Sequence, residues 1–187
     1  MAKKLHKKTW EEEMVDLFNA HKPTSGHPEP SEEQAVTYAH EEPWLFKFWD
    51  LSQKFLRVVN NVLIATPQTS YSPGIFFAVI PNTALDPKNI PIFMGTGNCA
   101  VSCTKSGDGQ LQIQIVEKNI MVLYRTPEEF KNFTFYSKSD GRPEICYFES
   151  AEFPGWFIST SSEPNKPIGL SQKGGPDNIL FYFEKKK

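Results

Sequence analysis

Phe148-Glu149-Ser150-Ala151-Glu152-Phe153-Pro154-Gly155-Trp156-Phe157-Ile158-Ser159-Thr160 is the stretch whose reading decides the fold. Phe148 ends one strand and Trp156 to Thr160 form the next. Pro154 has no N–H and a fixed φ, which suits the tight link between them, and Gly155 lets the chain reverse beside it. Trp156 and Ile158 share one face of the second strand.

Period-two patterning extends outward from that segment across most of the chain. Gln110 to Val116 alternates, with Leu111, Ile113 and Ile115 on one face and glutamines on the other. Phe133 and Phe135 share a face, as do Ile179, Phe181 and Phe183. Gly74 to Ile80 is apolar on both faces, as a doubly buried strand would be. Turn signals separate these runs, among them Ser106-Gly107-Asp108-Gly109, Ser139-Asp140-Gly141 and Gly174-Gly175-Pro176-Asp177. About twelve short strands are expected, starting near Leu45, Lys54, Val62, Gly74, Pro91, Cys99, Gln110, Asn132, Glu144, Gly155, Pro167 and Asn178. Their number suits an all-β fold of three four-stranded units, a β-trefoil, although periodicity alone does not separate a barrel from a sandwich.

Composition divides the chain in two. Residues 1–43 hold all four histidines (His6, His21, His27, His40) and 5 Lys/Arg against 9 Asp/Glu, whereas residues 44–187 hold 15 against 13. Residues 1–43 read as a largely flexible leader and 44–187 as the β domain. Within the leader only Thr9 to Asn19 has helical character, with Thr9 as cap and Trp10, Met14 and Phe18 at i, i+4, i+8. A lone helix of that length is marginal in water. The basic start Met1-Ala2-Lys3-Lys4 has no apolar stretch after it, so no secretory signal peptide is expected, and no apolar run is long enough to span a membrane.

Several function classes are disfavoured. A net charge of −2 gives no global pull toward nucleic acid or heparin, which also counts against a heparin-binding growth factor. No repeated sugar-binding motif suggests a lectin. Residues 44–187 contain no histidine, so neither a Ser-His-Asp nor a Cys-His site can be built there. Glu149 and Glu152 could form an acid–base pair but read as surface charge. The leader histidines lack metal-ligand spacing, and no metal or cofactor is expected. Cys99, Cys103 and Cys146 read as small hydrophobes. Cys99 and Cys103 would lie about 13 Å apart along one strand, too far for a disulfide. Asn132-Phe133-Thr134 is a glycosylation motif at a strand start and is expected to be unmodified.

The segment Phe148 to Thr160 resembles the signature of the interleukin-1 cytokines. That pattern asks for an aromatic (Phe148), Ser150, a small residue (Ala151), Pro154, an apolar pair after Trp156 (Phe157, Ile158), a small residue and Thr160, then a later aliphatic, here Ile168. The likeness continues through Asn61-Val62-Leu63-Ile64-Ala65, Pro91-Ile92-Phe93-Met94-Gly95, Leu111-Gln112-Ile113, Asn119-Ile120-Met121 and Phe133-Thr134-Phe135-Tyr136, all read as strands. Phe48-Trp49-Asp50 resembles the family's aliphatic-any-Asp marker, with an aromatic in the aliphatic place. Subfamily cues diverge: Ile75-Phe76-Phe77-Ala78 is similar to interleukin-37, Phe181-Tyr182-Phe183 to the receptor antagonists, and Ser159-Thr160-Ser161 to interleukin-1β.

The resemblance implies a monomeric, non-enzymatic cytokine. It would bind an interleukin-1-family receptor ectodomain and an accessory receptor chain, with no nucleic-acid partner and no membrane insertion. It would be cytoplasmic before release and reach the extracellular space by a leaderless route. The family's processing habit places a mature start near Thr37 to His40. The implied signature residues are structural. Receptor contact is expected on loops at Trp49, Asp50, Lys88, Asn89, Lys173 and Asp177. The residue ahead of the last aromatic strand, Leu180, matches neither the agonist nor the antagonist of the family. The loop Lys173-Gly174-Gly175-Pro176-Asp177 resembles the agonist, and the long leader fits an agonist requiring trimming; an antagonist or an interleukin-37-like suppressor is the alternative.

Overall fold

A computed structural model describes residues 7–21, 41–69 and 74–187. The expected strands form. They are β1 (Trp44–Asp50), β2 (Lys54–Val59), β3 (Val62–Pro67), β4 (Phe77–Pro81), β5 (Pro91–Thr96), β6 (Cys99–Lys105) and β7 (Leu111–Val116), followed by β8 (Thr134–Ser139), β9 (Ile145–Ser150), β10 (Phe157–Ser159), β11 (Lys166–Pro167), β12 (Gly169–Ser171) and β13 (Phe181–Lys185). The strand expected near Pro167 is two. Lys166 and Pro167 pair with β3, Ile168 donates its N–H to the Leu63 carbonyl, and from Gly169 the chain pairs with β10 instead. A change of partner in mid-run leaves no mark on the hydrophobic pattern.

Six strands close a ring: β1 pairs β4, β4 pairs β5, β5 pairs β8, β8 pairs β9, β9 pairs β13, and β13 returns to β1, every pair antiparallel. Closure removes the free edges that would invite aggregation. The β2–β3 and β6–β7 hairpins and the β10–β12 pair leave the ring at the C-terminal ends of β1, β5 and β9 and cap that end. This is the expected β-trefoil. Asn60 and Asn61, both at positive φ (50° and 65°), make the two-residue turn of the first hairpin, a conformation that asparagine tolerates well. Inward alternation supplies the core: Phe46 and Phe48 of β1, Phe135, Phe148, Phe181 and Phe183 are all buried.

Among the described residues, two α-helices complete the fold. Asn119-Ile120-Met121, expected as a strand, instead opens α2 (Ile120–Arg125). The Asn119 side chain accepts the Met121 N–H, and Ile120 and Leu123, one helical turn apart, are the buried pair. Ile120 packs so closely on β5 that a Cβ on Gly95 would sit 2.9 Å from its Cγ2 and 2.4 Å from the Cys99 carbonyl oxygen. Only glycine fits there.

Helix α1 (Trp10–Ala20) forms where expected, with a reciprocal capping box: Thr9 Oγ1 accepts from the Glu12 N–H and Glu12 Oε1 from the Thr9 N–H. It falls in the segment expected to be a leader, yet Trp10, Met14 and Leu17 belong to the same hydrophobic core as Phe46 and Phe148. The buried stripe is i, i+4, i+7; Phe18 is only half-buried. Residues 22–40, including the processing region near Thr37 to His40, lie outside the described residues.

Cys103 and Cys146 are buried thiols. Desolvation pushes Cys103 up to about 12 and raises Cys146 well above its ordinary range, so both are held as unreactive hydrophobes. Cys99 is half-buried.

Candidate functional site

Asp50 ends β1 just before the tight turn into β2. Its carboxylate has no exposed surface, and its partners lie within the chain. Oδ1 accepts the backbone N–H groups of Ser52 and Lys54, both at 2.9 Å; Oδ2 accepts from Thr160 Oγ1 at 2.7 Å and pairs with Lys54 Nζ at 2.8 Å. Lys54 is itself buried. This corrects the expectation that Asp50 stands on an exposed loop: it is a buried latch joining β1, β2 and the end of β10. Thr160, the last fixed residue of the signature segment, is the other half of it.

Most of the rest of the signature is likewise turned inward, with Pro154 exposed. Phe148, Ala151, Phe157 and Ile158 are buried. Ser150 Oγ accepts the Phe153 N–H at 3.0 Å, and the Ser150 N–H donates to the Trp156 carbonyl at 2.8 Å. Pro154 stands in this turn, followed by Gly155 at φ 88°, whose N–H donates to Glu149 Oε2 at 2.7 Å. That carboxylate is therefore engaged in holding the turn. Trp156 packs half-buried against the core.

Next to the latch, Trp49 points outward and stacks between Phe55 and Tyr182, with centroid separations of 5.1 and 5.8 Å and interplanar angles of 20° and 19°. Across the third unit, Lys173 lies over Tyr147 at 4.9 Å and Phe157 at 5.3 Å. Tyr136, Lys138 and Glu149 join them around an open cleft of about 370 Å³. Lys173 and Asp177 sit at the two ends of one exposed loop whose turn is made by Gly174 at φ 82°, and Asp177 Oδ2 accepts a long bond from Ser171 Oγ at 3.4 Å. The loop leads into β13 through Asn178, which exchanges backbone hydrogen bonds with Thr160. Trp49, Lys173 and Asp177 are thus tied to one polar latch.

Lys88 and Asn89 are not part of that group. They are exposed in a single 3-10 turn, Pro87–Asn89, capped by Asp86. Their loop follows β4, whose C-terminal end pairs toward the start of β1, so it lies at the barrel end opposite Asp50. Beside it lie α1, expected as a helix but not as part of the core, and a feature that was not expected, the strained Ile90, a β-branched residue at φ 49°.

Comparison with known proteins agrees with this architecture. The family model described as Interleukin-1 / 18 matches residues 75–183. The interleukin-1 receptor antagonist protein of Sus scrofa is 35% identical over 182 residues, 90% of each chain. Interleukin-36 alpha of Homo sapiens is 36% identical over 71% of this chain and 86% of its own. Among solved structures, a chicken (gallus) interleukin-1 beta mutant superimposes with a TM-score of 0.65 at 25% identity, covering 76% of this chain and 98% of the other. The solution structure of interleukin-36alpha gives 0.61 at 32% identity, covering 76% and 94%. With a matching family model, relatives above 30% identity and the same barrel, the chain belongs to the interleukin-1 family, a family of cytokines and not of enzymes.

Proposed function

We propose that this chain is an extracellular ligand that docks on an interleukin-1-family receptor through its exposed loops and signals after N-terminal trimming. Cytokines of this family are extracellular and bind receptors of the family. The observation that carries the docking surface is the Lys173–Asp177 loop. It is exposed on a rigid barrel, and its Lys173 lies over the half-buried Tyr147 ring; such aromatic-and-cation patches carry binding energy out of proportion to their area. Trp49 extends the surface toward Tyr182. Release by a leaderless route with a monomeric mature form belongs to the same reading.

Agonism is supported by the likeness of Lys173 to Asp177 to the agonist loop. A second reading, receptor antagonism, is favoured by the 90% coverage of the antagonist protein of Sus scrofa. One experiment separates them. Full-length and trimmed protein are applied to reporter cells expressing family receptors, alone and against a known ligand. A signal from the trimmed form supports agonism. Silence with inhibition of the known ligand replaces it with antagonism. Neither signal nor inhibition, together with no binding to a panel of receptor ectodomains, ends the ligand reading. The double substitution Lys173→Ala, Asp177→Ala is expected to weaken receptor binding at unchanged thermal stability; unchanged binding removes the loop.

A further inference from the structure

We propose that the barrel mouth opposite the hairpin cap is a binding site for one amphipathic helix anchored by an indole, and that α1 occupies it as an internal ligand able to stay bound after the chain is cut between residues 22 and 40.

The anchor is Trp10. It has no exposed surface and is ringed by Phe46, Phe48, Phe148 and Phe183, with centroids at 5.0 to 5.7 Å in tilted and edge-on geometries. Its only polar atom is satisfied: Nε1 donates to Ser137 Oγ at 2.8 Å. Met14 and Leu17 continue the buried stripe. Polar contacts rim the mouth. Lys7 Nζ donates to the Phe183 carbonyl at 2.7 Å, the Ser139 N–H to Glu11 Oε1 at 3.3 Å, and Tyr124 Oη to the His21 carbonyl at 3.2 Å. A stripe anchored by one aromatic, with a polar rim, is the way an amphipathic helix is held in a groove.

Two further observations make the helix separable. Its N-terminus is closed by its own capping box, so the caps of its first turn come from the helix segment itself. The ends of the 22–40 connection are already together: His21 Nε2 lies 2.9 Å from the Glu42 carbonyl oxygen, and His21 Nδ1 2.8 Å from that of Leu17. The two ends that the connection joins are therefore held together by a contact of their own. A cut removes only the high effective concentration that the tether provides. This extends the trimming reading: trimming within 22–40 would yield a two-piece complex, with the helix retained until something displaces it.

The test uses the full chain with a specific protease site placed after Gly26. The folded protein is cut, then followed by size-exclusion chromatography and native mass spectrometry at micromolar concentration. The expected result is co-elution of both pieces in one-to-one complex. Trp10→Ala in the same background should weaken retention roughly 100-fold or more, releasing the N-terminal piece. If that variant does not fold, Met14→Ala is cut instead and should shorten the residence time, read as exchange against labelled peptide 7–21. Separation of the wild-type pieces on the column overturns the proposal, as does retention indifferent to both substitutions. Because the readout is retention, it can fail while trimmed protein still signals, or succeed while it does not, so this inference and the trimming reading fail independently.

Discussion

The two ends of the barrel are closed by opposite chemistry. At the mouth, a tryptophan sits among four phenylalanines with a single hydrogen bond from its ring. At the hairpin cap, a buried carboxylate takes four donors, one of them a buried ammonium. An apolar plug is held by area, and its cost of removal scales with the atoms removed. A polar latch is cooperative, because removing one member leaves the others desolvated and unpaired. The mouth should therefore respond to substitution in graded steps and the cap as all or none.

The sharpest test is Asp50→Ala. It strands the Lys54 ammonium, the Thr160 hydroxyl and two backbone N–H groups, and should cost about 3–5 kcal/mol in chemical denaturation. Replacing Asp50 and Lys54 together with Leu and Met should recover part of that loss, because no lone charge remains although the Thr160 hydroxyl and two backbone N–H groups still lack their acceptor. A double variant no better than Asp50→Ala would break the cooperative description. At the mouth, Trp10→Ala should cost about 3 kcal/mol, and Trp10→Phe distinctly less. Equal losses for the two would mean that the indole hydrogen bond, and not packing, holds the plug.

These two regions were unequally legible in the sequence. The strands of the cap hairpins read directly from alternation, as at Leu111, Ile113 and Ile115. The signature from Phe148 to Thr160 led to the right barrel because proline, glycine and inward aromatics constrain the chain locally. Asp50 was placed on a strand end correctly but on the surface wrongly. A carboxylate followed four residues later by a lysine looks the same whether the pair is solvated or buried; Thr160, 110 residues away, makes the difference. The stretch around Asn119 was misread because three residues cannot separate period 2 from 3.6, and the deciding pair, Ile120 and Leu123, spans four. For α1 the period was visible and the partner was not. Nothing in Trp10, Met14 and Leu17 says which apolar surface they cover, since any hydrophobic pit satisfies an amphipathic stripe equally.

A smaller effect probes how the mouth is wired to its neighbouring loop. The Ser137 hydroxyl accepts from Trp10 Nε1 and donates to the carbonyl of the strained Ile90 at 3.2 Å. Ser137→Ala leaves a buried indole N–H without an acceptor and should cost about 1–2 kcal/mol. It should also loosen the turn carrying Lys88 and Asn89, read as faster amide exchange at Ile90, whose N–H donates to the Pro87 carbonyl at 3.0 Å. Loss of stability with unchanged exchange would confine the plug's influence to the core.

The smallest expected effect lies on the rim of the same mouth, in the turn between β8 and β9. Asp140 pairs with Arg142 at 2.8 Å, and the hydrogen bond from that guanidinium holds its carboxyl below the usual carboxylate range. A carboxyl depressed in the folded state adds stability above its unfolded value, about 3.9, and loses that contribution as pH falls through the folded one. Arg142 is more than half exposed, and a solvated pair of this kind contributes little. Asp140→Asn should therefore lower the thermal midpoint only slightly at pH 7, with the difference from wild type vanishing toward pH 2. Trp10→Ala should not share that pattern, because it removes buried contacts and no charge. A large pH-dependent loss at Asp140 would mean that the rim turn is coupled to α1, through the bond from the Ser139 N–H to Glu11, more tightly than solvated geometry allows.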